Sequence, residues 1–286
     1  MREVNTGEII ELVKKLCIES NCCLNRDIEE AFVRSLTAED SPLGKNVIET
    51  LLENAKIARE EQSPICQDTG MTVVFVELGM DIRITGGDLE EAINEGVRRG
   101  YQTGYLRKSV VRDPIDRVNT GDNTPAVIHY DIVSGDRIKI NVAPKGFGSE
   151  NMSALKMLTP SAGIEGVKKF IIDTVSDAGG NPCPPIIVGV GVGGTMEKCA
   201  MLAKKALLRP LGTVQNDIFW SGVERELLEN INALGIGPAG LGGRITAMGV
   251  HIETFATHIA GLPVAVNMGC HVTRHASGTL PAEAAR

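Results

Sequence analysis

Aromatic side chains are scarce in this chain. One Trp, three Tyr and six Phe make up 3% of its 286 residues, so the composition offers no clear aromatic interface patch. Long apolar runs are missing as well. None approaches the ~20 residues that a helix needs to cross a bilayer, so a membrane-spanning chain is not expected. The opening Met1-Arg2-Glu3-Val4-Asn5 holds no apolar core of a secretory signal, and a cytoplasmic location is the expectation. A basic excess is lacking too. The net charge of −7 disfavours nucleic acid, whose binders present a basic face. An anionic small molecule stays open, because a local arginine cluster can outweigh the global charge. Neither a repeat nor a linker divides the chain into independent domains.

What is present suits a sizeable core: 43% of residues are apolar and 23% charged. Helical patterns come first and mixed strands and helices follow, which predicts the α+β class. The expectation is a single domain over 1–286 with a mixed sheet and two intimately packed lobes. Its helical lobe covers about 1–64 and its mixed α/β remainder about 65–276, with a tail at 277–286. Helices are predicted from Thr6 as cap, after Asn25, and over 45–61; a strand runs from Met71 to Leu78, and Asp88 caps the next helix. Ala126–Val133 and Arg137–Val142 alternate about Ser134-Gly135-Asp136 and read as an antiparallel hairpin, with Ile128, Tyr130 and Ile132 on one face. Further helices are expected over 164–178, up to about Arg209, and over 214–234, with strands at 186–190, 244–253 and 263–267.

The 32 glycines cluster, which points to loops built from backbone. Gly189-Val190-Gly191-Val192-Gly193-Gly194 matches G-x-G-x-x-G after a strand. A dinucleotide site also needs a second parallel strand ending in Asp or Glu about 20 residues on. Pro210-Leu211-Gly212 leads into a helix instead, and no Lys precedes Thr195, so the nucleotide reading is weak. Seven cysteines in a cytosolic chain favour metal binding or catalysis over a disulfide framework. Cys270-His271-x-x-x-His275 could hold zinc on one helical face, but Arg274 would repel the cation. Cys66, Cys183 and Cys270 each sit in a loop beside a strand, next to Pro or Gly. Three soft thiolates suit an iron–sulfur cluster; on spacing alone, buried structural thiols fit as well. Ile65-Cys66-Gln67-Asp68-Thr69-Gly70 packs thiol, amide, carboxylate and hydroxyl into six residues. By itself it reads first as a turn.

Five motifs in this order carry a resemblance: Ile65–Gly70, Lys145-Gly-Phe-Gly-Ser-Glu-Asn151, Asn181-Pro-Cys-Pro-Pro185, Gly193-Gly-Thr-Met-Glu-Lys198 and Cys270-His-Val-Thr-Arg-His275. Together they resemble the cluster-binding part of the iron–sulfur (class I) fumarases and the related L-tartrate dehydratases. Single-chain members continue past His275, so this chain resembles the α subunit of the two-chain form. The resemblance implies a 4Fe–4S cluster held by Cys66, Cys183 and Cys270, and Asp68 as the acid that protonates the departing hydroxyl. It implies substrate contacts at Gln67, Arg107 and Gly148, with Arg98, Arg99 and Arg112 as alternatives to Arg107, and a histidine near the acid at His258. It further implies that a β subunit carries the base, and a dimer of αβ pairs. The activity expected is reversible hydration of a four-carbon dicarboxylate, fumarate to malate. The alternatives are L-tartrate dehydration and, in another class, a non-catalytic binding or assembly subunit.

Overall fold

Asn5, one residue before the predicted cap, closes the first helix. Its Oδ1 accepts the Gly7 N–H at 2.8 Å, and Glu8 Oε1 accepts the Asn5 N–H at 3.2 Å. The computed structural model describes residues 2–281. In chain order they form β1 (Arg2–Asn5), α1 (Thr6–Cys22), α2 (Arg26–Ala38), α3 (Pro42–Glu61), β2 (Met71–Gly79) and β3 (Ile82–Thr85). Then come α4 (Leu89–Thr103), β4 (Val127–Val133), β5 (Ile138–Lys145), α5 (Phe147–Glu150), β6 (Ala154–Leu158), α6 (Gly163–Ala178) and β7 (Ile186–Gly193). The chain ends with α7 (Met196–Ala206), α8 (Ile218–Asn232), β8 (Ala247–Phe255), β9 (Leu262–Gly269) and β10 (Ala276–Leu280). The class is α+β, as the order of patterns predicts.

Contacts group the chain into two units. One takes in Met1–Asn25, Ala55–Phe147 and Arg274–Arg286; the other takes in Arg26–Asn54 and Gly148–Thr273. The N-terminal helices are thus shared between units.

In the first unit a four-stranded sheet has the order β10-β5-β2-β4. β4 and β5 are not the predicted hairpin. β2 lies between them, parallel to β4 and antiparallel to β5. The physical reason is the run Val73-Val74-Phe75-Val76, buried throughout, which suits a central strand covered on both faces. The 133–137 turn arcs over its end: Gly79, Met80 and Asp81 donate to Arg137, Val133 and Gly135 carbonyls. Ile138, Ile140 and Val142 are fully buried as expected, but on edge strand β4 Tyr130 is 43% and Ile132 74% exposed. Residues 277–280 of the predicted tail are not tail; with Ala276 they pair antiparallel with β5. Residues 282–286 of the predicted tail lie outside the described residues. α1 and α4 pack their buried faces with this sheet in one core.

The second unit holds the sheet β6-β9-β7-β8. β7 is buried along its whole length, parallel to β8 and antiparallel to β9. Here the G-x-G motif acquires a structural use. A Cβ at Gly189 would stand 2.2 Å from Ala203 O, and one at Gly191 2.1 Å from Cys199 O. These glycines let α7 lie against the strand, which is packing and not phosphate binding.

Candidate active site

The strand pairing assembles the first part of the site. Met71 opens β2 opposite Lys145, which ends β5. The loop before β2, with Cys66 and Asp68, therefore meets the loop after β5. Gly70 (φ 79) makes the junction; a Cβ there would lie 2.7 Å from Lys145 N. Asp68 Oδ1 accepts the Gly70 N–H at 3.0 Å and Oδ2 accepts the Phe147 N–H at 2.9 Å. These two bonds take about half of a carboxylate's roughly four acceptor sites. The Cys66 thiol donates to Gln67 Oε1 at 3.4 Å, and Cys66 Sγ accepts the Asp68 N–H, also at 3.4 Å. Gln67 is exposed; Cys66 and Asp68 are half-buried.

The loop's carbonyls are fastened from behind. Tyr101, fully buried, donates its hydroxyl to Thr69 O at 2.7 Å and Gly70 O at 2.9 Å. Burial pushes its phenol well above the usual range, so it stays a donor. Asn123 Nδ2 donates to Gly70 O at 3.2 Å, and the Thr69 hydroxyl donates to Arg107 O at 2.9 Å. Arg274, 4% exposed, donates from Nη2 to Asp68 O. Tyr101, Asn123 and Arg274 are site residues that sequence reasoning missed. The sequence signal for Arg274 was its place in Cys270–His275; Tyr101 and Asn123 had none, because they arrive from 31 and 53 residues beyond Gly70. Tyr101→Phe removes a buried donor from two carbonyls. Its expected effect is about 1–3 kcal/mol less stability, read from a denaturant midpoint at unchanged slope.

Cys183 and Cys270 belong to the second unit. Ile187, near the start of β7, pairs with Gly269 at the end of β9, so the two cysteine loops share one end of the sheet. His271 ties them: its backbone N–H and its ring Nδ1 both reach Cys183 O at 3.1 Å. With a carbonyl as partner, Nδ1 carries the proton. Cys183 is exposed at φ 58, a left-handed position unusual for a side-chain-bearing residue and a mark of functional loops. Cys270 O accepts both the N–H and the hydroxyl of Thr273, at 2.9 and 2.7 Å. Gly148, in α5, belongs to this unit as well.

His258 stands elsewhere. It is exposed in the turn between β8 and β9, where its Nδ1 accepts the Ala260 N–H at 3.1 Å. That turn follows Phe255, the partner of Gly193 at the far end of β7. At about 3.3 Å per strand residue, most of the strand's length, on the order of 20 Å, separates it from the Cys183 and Cys270 end. The sheet does not bring His258 to the cysteines of its own unit.

The arginines sort themselves. Arg98 pairs with Glu95 and Asp122, Arg99 with Glu95 and Glu11, and Arg112 with Asp116. Among the described residues no ion pair holds Arg107, whose exposed side chain stands beside the Thr69 contact.

All seven cysteines are free thiols. Burial pushes the Cys17 thiol up to about 12 and Cys199 to about 11, and raises Cys22. Such groups resist becoming thiolates and are poor metal ligands. Cys66, Cys183 and Cys270 lie in polar loops outside the cores, and their donor chemistry fits a soft metal centre. Among the described residues no three His, Cys, Asp or Glu side chains are grouped to hold a metal.

The profile of the family described as Fumarate hydratase (Fumerase) matches residues 10–279. The chain belongs to that family, and its members' chemistry makes it a hydro-lyase chain. It is 45% identical to a Methanocaldococcus jannaschii protein named "Putative L(+)-tartrate dehydratase subunit alpha", over 94% of this chain and 96% of the relative. It is 36% identical to the L(+)-tartrate dehydratase subunit alpha of Escherichia coli strain UTI89, over 96% of this chain and 90% of the relative. The Shigella sonnei protein of the same name is 35% identical over the same shares. No helix among the described residues is long and apolar enough to cross a membrane.

Proposed function

We propose that this chain is the α subunit of a two-chain hydro-lyase that interconverts malate and fumarate. The observation that carries the reading is the fixed carboxyl of Asp68, held by two backbone N–H groups two residues beyond the half-buried loop cysteine Cys66. Cys66, Cys183 and Cys270 would hold a 4Fe–4S cluster. When bound, it supplies Lewis acidity toward a substrate hydroxyl and carboxylate.

The chain's own residues do the rest. Asp68 gives a proton to the hydroxyl that leaves C2 of malate, so that water departs. In hydration the same carboxylate takes a proton back from the attacking water. Arg107, unengaged by any carboxylate among the described residues, offers a planar fork to a substrate carboxylate. Gln67, exposed beside the acid, offers an amide to the substrate, and Gly148 a backbone contact. The proton lost from C3 needs a base, which this reading assigns to a β subunit, in a dimer of αβ pairs. Supporting the two-chain reading is the name "subunit alpha" borne by relatives of nearly the same extent. Free cysteines throughout agree with the reducing cytoplasm as location.

L-tartrate dehydration is a second reading, favoured by the names of those relatives. The substrates differ by one hydroxyl, and a pocket built to bond that hydroxyl discriminates strongly. Anaerobic preparation followed by iron and sulfide analysis is expected to give about four irons per chain. On the two-chain enzyme, kcat/KM for malate is expected to exceed that for L-tartrate. The reverse order replaces the first reading with the second, and an iron-free active enzyme overturns both.

A further inference from the structure

Glu39 directly follows α2 and is 1% exposed, yet no cation pairs with it among the described residues. Backbone donors surround it instead. Its Oε1 accepts the N–H groups of Asp40, Ser41 and Arg244 at 3.0, 2.9 and 2.9 Å; Oε2 accepts that of Ile245 at 2.8 Å. Burial opposes the charge, but the four donors outweigh it and hold the carboxyl below its usual range. Gly243 leaves room for this approach, since a Cβ there would sit 2.8 Å from Oε1. The carboxylate therefore clamps the exit of the glycine-rich segment 235–243.

The other part of that segment touches the Cys183 loop. Ala239 N–H donates to Pro184 O at 2.8 Å. Gly240 abuts Gly180: a Cβ on Gly240 would lie 2.6 Å from Gly180 Cα, and one on Gly180 3.1 Å from Gly240 Cα. Gly180 O in turn accepts the Cys183 N–H at 3.1 Å. Gly237 (φ 70) lies against Gly242 and Gly243, so the segment is folded tightly on itself.

We infer that Glu39 is a positioning residue for Cys183: its buried carboxylate fixes the glycine-rich segment that braces the Cys183 loop. The inference rests on the reading of Cys183 as a metal ligand for its purpose, but not for its mechanics. Glu39→Gln nearly preserves volume and turns one acceptor into a donor facing an N–H.

Hydrogen exchange on the full chain without iron tests it. In Glu39→Gln, amides of 236–245 and of 179–185 are both expected to exchange tenfold faster or more, while those of β5 stay within twofold. Faster exchange confined to 236–245 overturns the inference. Should Glu39→Gln fail to fold, Gly180→Ala attacks the brace directly. It is expected to accelerate 179–185 equally, and unchanged exchange there is likewise fatal. Iron content separates the two ideas. Full iron retention by Cys183→Ala would remove the ligand reading while leaving the exchange result standing.

Discussion

Asp68→Asn is expected to lower turnover by two to four orders of magnitude while iron and sulfide content stay at the parent level. A positioned general acid contributes about 10²–10⁴ in rate, and Asn cannot supply the proton. The substitution has a structural cost that must be separated from the chemical one. Each carboxylate oxygen of Asp68 accepts a backbone N–H, from Gly70 and from Phe147. An amide keeps one acceptor and turns an NH₂ toward the other donor, a conflict of about 1–3 kcal/mol. The variant should therefore unfold at lower denaturant yet remain folded and loaded under assay conditions. Malate-to-fumarate turnover followed by ultraviolet absorbance, beside iron analysis, separates the effects. Loss of iron together with activity would make Asp68 a structural residue of the loop and remove it as the acid.

The second large effect concerns the base that the proposed function assigns to a β subunit. Loaded with iron and free of any partner, the chain should turn malate over at less than about one-thousandth of the rate of the two-chain enzyme. A base alone is worth about 10²–10⁴. Titrating a β chain into a fixed amount of this chain should restore activity and saturate at one partner per chain. Turnover by the single chain within tenfold of the pair would mean that the base lies among its own residues.

Much of the candidate site could be proposed from the order of residues, because some chemistry is local. Cys66, Gln67 and Asp68 share one loop, and the bonds among them span one or two residues. Pro182, Pro184 and Pro185 around Cys183 announce a non-helical loop. Capping is local too, and Asn5 missed the prediction by a single position. Pairing partners are not local. β4 and β5 alternate and are joined by a turn, yet β2 enters between them from about fifty residues upstream. Its buried run, Thr72–Val76, outcompetes the hairpin. The glycines of β7 match a nucleotide fingerprint because close approach of backbone to phosphate and of backbone to helix impose the same demand for a missing Cβ. Only the neighbour, Cys199 O or Ala203 O, tells which applies.

By itself the sequence determined the α+β class and the family through five ordered motifs, and it singled out the proposed acid, Asp68, and the three loop thiols. Those depend on residue type and short-range spacing. Tertiary structure alone decided that Tyr101, Asn123 and Arg274 hold the Asp68 loop, that His271 seals Cys183 to the end of β9, and that His258 sits at the other end of that sheet. It also decided that Arg107, and not Arg98, Arg99 or Arg112, is left without a carboxylate partner among the described residues. Each of these follows from a strand register or a long-range hydrogen bond, and those are selected by burial over the whole sheet.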